Sequence, residues 1–574
     1  MTQTIKISVI FIFCVQCFIT PLFGQERTVG LFVNDSSKVC PGYILFAPKH
    51  NTMTYLINNE GRIVHEWTGS TYEPGQTVYL LENGNLLRAC MTKGPLSTGG
   101  GEGGRIEEYD WDGKLVWEFN YSSNRYMQHH DIRPLPNGNV LMLAVEPKTY
   151  SEVIAAGFNP GQLQADVQTK GMLPDFVAEV KPIRPSSGQI VWEWHVWDHL
   201  VQDYDASKAN YGNVAAHPEL ISAAGDGKRI ASFWNHINSI DYHPEFDQIS
   251  LSVRGNSEAW IIDHSTTTEV AKSHTGGKSG KGGDLLYRWG NPVTYKAGAA
   301  NDQKLFQQHD AAWIRPGCPG AGNMTFFNNG LGRNYSTVNE ITLPVDIIGN
   351  YAITPSSAFG PSDLTWTYKA NPPNSMYSEA ISGTQRLPNG NTLICDGVHG
   401  IFIEVTANGE VVWKYINPVV KTGPLQQGEI PPLDDRGHQY NAVFRVQRYA
   451  PDYPAFIGRD LIPGDLIEIY PTGVDEAEKN IPKEFVLSQN YPNPFNPRTV
   501  ISYQLAVASE AKIVVYNLMG KEIRTLVDDF KSAGSHQIVW DGTDNWGQKV
   551  SSGIYLYNLQ IGGQALMRKM TLIQ

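Results

Sequence analysis

The sequence predicts an all-β protein, with a six-bladed β-propeller followed by a small C-terminal β-sandwich. A strand-like segment that carries tryptophan recurs six times, and Asn-Gly turns recur between these copies. The chain of 574 residues is too long for one ordinary domain, and its 55 Gly and 35 Pro favour short strands joined by turns. Because equivalent strands of a ring-shaped repeat fold converge on one axis, such a fold can gather distant residues into one pocket.

The tryptophan segments begin at a turn residue and then alternate in the manner of strands. The six copies are 61–67, 113–119, 188–194, 283–289, 363–368 and 409–415. We expect their aromatic side chains to lie in the blade cores rather than to form a platform for a cofactor. A closed ring of six such units would leave few sheet edges open.

A second repeated element is the Asn-Gly hairpin, which supplies the positive φ angles of a tight turn. An apolar return strand follows each of the pairs at 83–84, 137–138 and 389–390. Each unit therefore reads as a strand, a hairpin, a second strand, a turn and the tryptophan strand. Three insertions are expected to form loops on one rim: 147–182, 199–231 and 264–282.

The two ends of the chain differ from the repeats. Residues 1–24 read as a signal peptide, since Lys6 precedes an apolar run that is too short for a comfortable membrane span. The propeller is expected over 25–473 and a polar linker over 474–483. Alternating runs over 484–574 predict the small antiparallel sandwich.

Composition excludes some classes of function. The net charge of −12 gives no electrostatic reason to bind nucleic acid, and an anionic substrate would need a local positive pocket. The cysteine spacing after signal cleavage dictates no disulfide pairing and matches no zinc-ribbon pattern, so we expect no metal. The four cysteines concerned are Cys40, Cys90, Cys318 and Cys395.

Three histidines stand at the start of strand-like segments in different repeats. They are His130, His236 and His309, and an alternating apolar run follows each of them. A polar group at the same point of several repeats predicts that the three rings converge near the axis. Adjacent residues on a strand face opposite sides, so Asp131 and Asp310 are not expected to orient the neighbouring rings. We expect two further histidines to be structural or at the rim: His129 and His243.

Residues 40–470 resemble the bacterial arylsulfate sulfotransferases, which use aryl sulfates directly and need no nucleotide donor. The similarity rests on His129-His130-Asp131-Ile132, on Asn235-His236-Ile237-Asn238-Ser239 with Arg254 downstream, and on Gln308-His309-Asp310 with 325–330. The resemblance implies a six-bladed propeller with its site at the centre of the ring. It also implies an aryl sulfate donor, a phenolic acceptor and no cofactor.

The same resemblance assigns roles to single residues. His309 matches the histidine that takes the sulfuryl group and becomes a transient sulfohistidine. The residues that match those holding the sulfate oxygens are His130, His236, Asn238 and Arg254. A second histidine can move the proton of the departing or arriving phenol, and the sequence does not choose between the remaining two. Thr384 begins the inner strand of the sixth unit and is a further candidate for the pocket lining.

The C-terminal segment carries a resemblance of its own. Leu487-Ser488-Gln489-Asn490-Tyr491-Pro492-Asn493-Pro494, together with Val515–Gly520 and Gly553-Ile554-Tyr555, is similar to the C-terminal sorting domain of the type IX secretion system. This resemblance covers 484–574. It implies export across the outer membrane by the type IX machinery, with a final place on the cell surface or outside the cell.

Other functions remain open at this stage. Three converging histidines are also typical of a Cu, Zn or Fe enzyme, although an arginine in the same pocket repels a cation. A propeller can also bind a sulfated or glycosidic ligand without turnover. A quinone-dependent dehydrogenase is disfavoured because no carboxylate ligand set for calcium is evident. The sequence also leaves open whether the chain forms a homodimer.

Overall fold

A computed structural model describes residues 27–96, 98–225, 227–353, 357–434, 437–470, 485–505, 509–531, 534–561 and 564–573. The chain divides into two units, Met1–Ile469 and Tyr470–Gln574. The expected signal peptide at 1–24 and the expected linker at 474–483 lie outside the described residues.

The first unit consists mainly of short antiparallel strands, as its many turn residues predict. In chain order it begins with β1 (Gly30–Asn34), β2 (Tyr43–Phe46), β3 (Thr54–Ile57), β4 (Ile63–Trp67), β5 (Pro74–Leu80), β6 (Leu86–Met91), β7 (Gly104–Tyr109), β8 (Leu115–Asn120), β9 (Met127–Pro134), β10 (Val140–Val145), β11 (Asp175–Ile183) and β12 (Ser187–His195). It continues with β13 (Leu200–Val201), β14 (Ile221–Ser222), β15 (Ile237–His243), β16 (Gln248–Val253), β17 (Glu258–Asp263), β18 (Tyr287–Trp289), β19 (His309–Trp313), β20 (Met324–Asn328), β21 (Thr337–Ile341), β22 (Trp366–Tyr368), β23 (Gly383–Arg386), β24 (Thr392–Asp396), β25 (Ile401–Val405), β26 (Val411–Ile416), β27 (Val419–Val420), β28 (Gly423–Pro424) and β29 (Gln447–Tyr449).

Helices are few and short in the described part of this unit. The α-helices are α1 (Tyr150–Ala155), α2 (Ala165–Lys170) and α3 (Thr268–Ala271). Single 3-10 turns are at Pro160–Gln162, Val196–His199, Val214–Ala216, Pro292–Tyr295, Ala300–Asp302, Pro373–Ser375 and Pro454–Phe456. None of the helices in the described ranges has the length and apolarity that crossing a bilayer requires.

The strands of the described residues form six blade sheets. Four blades use consecutive strands: β5 to β8, β9 to β12, β15 to β18 and β19 to β22. The other two join the ends of the unit, because β29 pairs with β2 in the sheet β29-β2-β3-β4 and β1 pairs with β26 as a fifth strand beside β23 to β26. Neighbouring blades contact each other through their first strands, including β5 with β9, β9 with β15 and β15 with β19. The predicted all-β, six-bladed propeller is confirmed.

The six predicted segments provide the fourth strands of the blades, namely β4, β8, β12, β18, β22 and β26. Their tryptophan rings are buried, as expected for blade cores, except for the half-buried Trp366. Trp117, Trp194 and Trp413 have no exposed surface, and Trp67 is nearly as deeply buried. The Asn-Gly turns also lie where the sequence predicts them, between the first and second strands of three blades.

The predicted unit lacks one strand that every blade contains. A third strand stands between the hairpin and the tryptophan strand, as β7, β17 and β21 illustrate. Every residue of these three strands is buried. Neither face of these strands reaches solvent, so the alternation of apolar and polar residues that identifies a half-buried strand is missing from their sequences. The expectation of a loop over 147–182 is wrong in part for the same reason, because β11 forms within it.

The second unit is a small antiparallel sandwich, as predicted. Its strands are β30 (Val486–Leu487), β31 (Thr499–Leu505), β32 (Ser509–Asn517), β33 (Glu522–Lys531), β34 (Gly534–Trp540), β35 (Gly553–Ile561) and β36 (Gln564–Leu572). They form a three-stranded sheet, β30-β31-β34, and a four-stranded sheet, β33-β32-β35-β36. Apolar residues of both sheets share one core, with Trp540 and Tyr557 fully buried in it.

Candidate active site

The three histidines of the sequence prediction meet at the start of adjacent inner strands. His130 lies in β9, His236 directly precedes β15, and His309 begins β19. Pairing with the second strand of each blade shifts register at these points, so each inner strand carries a bulge. His130 and His236 have positive φ angles of 48° and 49°. A bulge re-aims a side chain, and here it directs the rings into one cavity.

The cavity has a volume of about 560 Å³, which suits a small aromatic ligand. Its lining includes the three histidines, Arg254 and Lys49. The rings of His130 and His236 have centroids 4.9 Å apart. The structure therefore brings four of the predicted site residues together in one pocket.

Aromatic rings form part of the surroundings of these histidines. Phe233 lies against His236, with ring centroids 4.4 Å apart. Phe444 presents its ring 6.1 Å from His309 and 6.2 Å from His130. Neither phenylalanine lines the cavity itself, so these rings pack against the histidines rather than against a ligand.

The proton position on His309 follows from its neighbour Asn329. The amide Nδ2 of Asn329 donates hydrogen bonds to the carbonyls of Ser378 at 2.8 Å and Ile381 at 2.9 Å. Its Oδ1 therefore faces His309 and accepts a hydrogen bond of 2.8 Å from Nδ1 of that ring. Since Nδ1 carries the proton, Nε2 carries the lone pair of the neutral imidazole.

His130 is oriented by a chain of two buried groups. Nε2 of His129 lies 2.9 Å from Oδ1 of Asp175, and Nδ1 of His129 lies 2.8 Å from Nδ1 of His130. Because the nearby carboxylate favours a proton on Nε2 of His129, its Nδ1 is left to accept a proton from Nδ1 of His130. Nε2 of His130 is then the nitrogen with the free lone pair. The expectation that His129 is structural therefore understates its place beside the site.

Arg254 brings a positive charge that no carboxylate balances. Within the described part of the chain, its guanidinium makes no ion pair with a carboxylate. Burial lowers the pKa of Arg254, yet an arginine stays protonated under all ordinary conditions. An uncompensated, largely buried cation beside three neutral rings favours an anionic ligand.

All three rings are held in the neutral form. Burial and the nearby Arg254 lower the pKa of His309 to about 3. Burial and Arg254 also place the pKa of His236 well below its usual value, and burial together with His236 does the same for His130. At neutral pH these rings can therefore act as nucleophile or base.

Asp131 and Asp310 do not orient the histidines that precede them, as expected. Both carboxylates pair with the buried Arg445, at 2.9 Å and 3.1 Å. They also accept backbone N–H groups of the next blade, from Ile240 at 3.1 Å and Thr384 at 2.7 Å. These aspartates therefore tie neighbouring inner strands together below the rings.

Two predicted residues do not line the histidine cavity. Asn238 is fully buried, and its Nδ2 donates a 2.8 Å hydrogen bond to the carbonyl of Gln308, one residue before His309. Thr384 lines a smaller cavity of about 120 Å³ together with Asp310 and Arg445, and the two cavities share no lining residue. The backbone N–H of Thr384 donates a hydrogen bond to Asp310, whereas the Thr384 hydroxyl has no hydrogen-bond partner among the described residues.

Sequence reasoning missed the residues that fix the tautomers. Asn329 lies within the stretch 325–330 that carries the family resemblance, so that stretch held a signal for it. Asp175 lies in an insertion that was expected to be a loop, and no local pattern connects it to His129. Phe233 and Phe444 belong to segments without repeat character.

A family model for arylsulfotransferases (ASST) matches residues 31–426. The chain belongs to the arylsulfotransferase family. The match covers the described strands from β1 to β28 and contains the whole set of histidines. It supports arylsulfotransferase activity for the propeller unit. A second family model, the FlgD Ig-like domain, matches residues 496–563 within the C-terminal sandwich.

Solved structures similar to this member of the family are distant from it. A protein of unknown function from Bacteroides caccae has 12% identity and a TM-score of 0.35, with 65% of this chain and 93% of that chain covered. Virginiamycin B lyase from Staphylococcus aureus has 10% identity and a TM-score of 0.31, with 68% and 84% covered. PorZ, a surface component of the type IX secretion system of Porphyromonas gingivalis, has 9% identity and a TM-score of 0.27, with 93% and 50% covered. No curated protein matches the chain.

Proposed function

We propose that the propeller moves a sulfuryl group from an aryl sulfate to a phenolic acceptor through a transient sulfohistidine at His309. The observation that carries this proposal is the hydrogen bond from Nδ1 of His309 to Asn329. It leaves Nε2 of a neutral imidazole as a nucleophile in a cavity that also contains the unbalanced Arg254.

In the first step, Nε2 of His309 attacks the sulfur of the aryl sulfate. The N–S bond forms, the S–O bond to the aryl group breaks, and the phenolate leaves with the electron pair. By analogy with phosphoryl transfer, the protein mainly positions the groups and stabilises charge on the equatorial oxygens. The Arg254 guanidinium is placed to do so, and Nε2 of His309 takes its position from Asn329.

In the second step, an acceptor phenol attacks the sulfur of sulfo-His309 and the N–S bond breaks. The phenol loses its proton as the new O–S bond forms. We assign this proton to Nε2 of His130, because Nδ1 of that ring faces His129 and Asp175 lies beyond it. The pair of His129 and Asp175 can hold the charge until the proton is returned to a departing phenolate.

Asn238 acts in this scheme as a positioning residue. It holds the carbonyl of Gln308, which also accepts a 3.3 Å hydrogen bond from the Ser252 hydroxyl. The backbone that carries His309 is thus fixed from two sides. Thr384 has no direct part, since its side chain lies in the other cavity.

The test measures nitrophenol released from nitrophenyl sulfate by the purified protein, without added metal or nucleotide. We expect a burst of about one equivalent without acceptor and continuous turnover with a phenol. His309→Ala should abolish both phases. His243→Ala is the control, since that ring stacks on Phe246 outside the cavity and activity should persist. Turnover that survives in His309→Ala would refute the nucleophile, and binding without turnover in a folded protein would favour a ligand-binding propeller.

We infer that the chain is exported and that the C-terminal sandwich acts as an address for the type IX machinery. The motif similarity over 484–574 supports this, together with the signal-like segment 1–24. In a host with that machinery, the full chain should reach the cell surface or the medium. A chain that ends at residue 470 should remain in the periplasm with its sulfotransferase activity intact. Equal distribution of both chains across cell fractions would refute the role of the sandwich.

A further inference from the structure

A second cluster of histidines lies on two insertions, one after β12 and one between β17 and β18. His199 ends the 3-10 turn after β12, His274 follows α3, and Asp284 lies shortly before β18. Each offers one ligand atom, and these atoms lie within 4.8 Å of one another. His199 is fully buried, whereas 59% of the His274 side chain is exposed. None of the three lines the cavity of the active-site histidines.

One close contact in this cluster, between His199 and Asp284, lacks a proton donor when both groups are in their usual neutral and ionised forms. Nε2 of His199 lies 2.9 Å from the carbonyl oxygen of Ala271, which can only accept, so this nitrogen carries a proton. In a neutral ring, Nδ1 then presents a lone pair. Yet Nδ1 faces Oδ1 of Asp284 at 2.8 Å, and Nδ1 of His274 approaches the same oxygen at 2.8 Å. The lone pairs of His199 Nδ1 and Asp284 Oδ1 therefore face each other unless a cation or a further proton stands between them, whereas His274 can take either tautomer.

We propose that His199, His274 and Asp284 bind a divalent transition metal of the zinc class. Two imidazole nitrogens and one carboxylate oxygen are ligands that zinc prefers, and solvent at the exposed side of His274 can supply the fourth. The contact from Nε2–H of His199 to Ala271 is the outer hydrogen bond that metal-bound imidazoles usually make, and it selects Nδ1 as the ligand. Calcium and magnesium are disfavoured because they require mainly oxygen ligands.

The metal would clamp two insertions that otherwise have little regular structure. One ligand follows β12, and the other two lie in the segment between α3 and β18. The backbone is already close there, since a methyl group at Gly283 would lie 2.8 Å from Cε1 of His199 and 1.9 Å from the carbonyl oxygen of Ala271. The sequence expectation of no metal rested on cysteine spacing, and these ligands are too far apart in sequence to form a motif.

The test is a titration of the full-length protein, stripped with a chelator, with Zn²⁺ in competition with a chromogenic chelator. We expect one tightly bound equivalent and a rise in melting temperature on zinc addition. His274→Ala removes an exposed ligand with little risk to folding. Its zinc affinity should fall by more than the roughly 10- to 100-fold that loss of an outer hydrogen bond costs, and zinc should no longer raise its melting temperature.

A matched control separates this site from other exposed histidines. His399 also pairs with an aspartate, Asp396, at 2.9 Å, but no second histidine of the described ranges joins that pair. His399→Ala should keep the tight equivalent of zinc. Equal zinc binding by the parent and His274→Ala would overturn the proposal. Absence of any tight equivalent in the parent would also overturn it and would mean that protons satisfy the cluster.

Discussion

At the scale of the residue, the candidate site depends on a guanidinium that pairs with no carboxylate among the described residues. Arg254 is largely buried, and its charge helps to keep His236 and His309 neutral. An aryl sulfate would supply the missing counter-charge when it binds. A charge-assisted hydrogen bond of this kind contributes about 1.5–3 kcal/mol. The same side chain therefore serves both the binding of the anion and the neutral state of the nucleophile.

The pH dependence of donor turnover follows from these shifts. kcat/KM for nitrophenyl sulfate reports the groups of the free protein, where the pKa of His309 is about 3. A histidine with its ordinary pKa of about 6.5 loses its lone pair below that pH. We expect kcat/KM to stay nearly constant from pH 7 to about pH 4.5. An acid limb centred near pH 6.5 would contradict the buried, neutral His309.

Removing the positive charge should move that acid limb upward. Arg254→Gln relieves the repulsion of a proton by Arg254, so the pKa values of His236 and His309 rise and protonation begins at higher pH. The variant should also lose about 100-fold in kcat/KM at neutral pH, because it lacks the charged donor to the sulfate. Arg125→Gln, at an exposed position, should leave both features unchanged.

At the scale of the element, the inner-strand bulges and one glycine-rich loop position the rings. Gly101 accepts a 2.8 Å hydrogen bond from the backbone N–H of His130. A methyl group on Gly101 would lie 1.7 Å from Cε1 of the His130 ring. The loop before β7 thus fits against His130 only because residue 101 has no side chain.

Gly101→Ala should therefore displace the His130 ring without removing any catalytic group. A misplacement of about 1 Å can reduce turnover roughly 100-fold, so we expect a loss of that order in kcat with an unchanged circular dichroism spectrum. Gly360→Ala is the control, since a methyl group there meets nothing within 4 Å. Full activity of Gly101→Ala would show that the His130 ring tolerates displacement.

The sequence was informative for elements with one polar face and uninformative for the others. The tryptophan strands β8 and β12 alternate, and the Asn-Gly turns have a fixed backbone requirement, so both were predictable. The third strands β7 and β17 are buried on both faces and carry no alternation. Among site residues, the family resemblance located His309. Asp175 meets His129 across one blade, from β11 to β9, and Asn329 meets His309 from the end of β20, so both contacts depend on strand pairing that no local pattern shows.

At the scale of the whole molecule, the ring is joined by strands from opposite ends of the first unit. β29 pairs with β2, and β1 pairs with β26. The sequence repeats predict neither pairing, because β29 has only three residues and β1 precedes the first tryptophan segment. Once closed, the ring fixes the inner strands β9, β15 and β19 relative to one another, which places histidines from three blades in one cavity.

The pairing of β2 with β29 also determines how late in synthesis the ring can close. β2 leaves the ribosome early, but its partner β29 follows only after the larger part of the chain. At about 5–20 residues per second, the roughly 400 residues between them take about 20–80 s to make. Throughout that interval the first blade has an open edge, and no shorter nascent chain contains a complete ring.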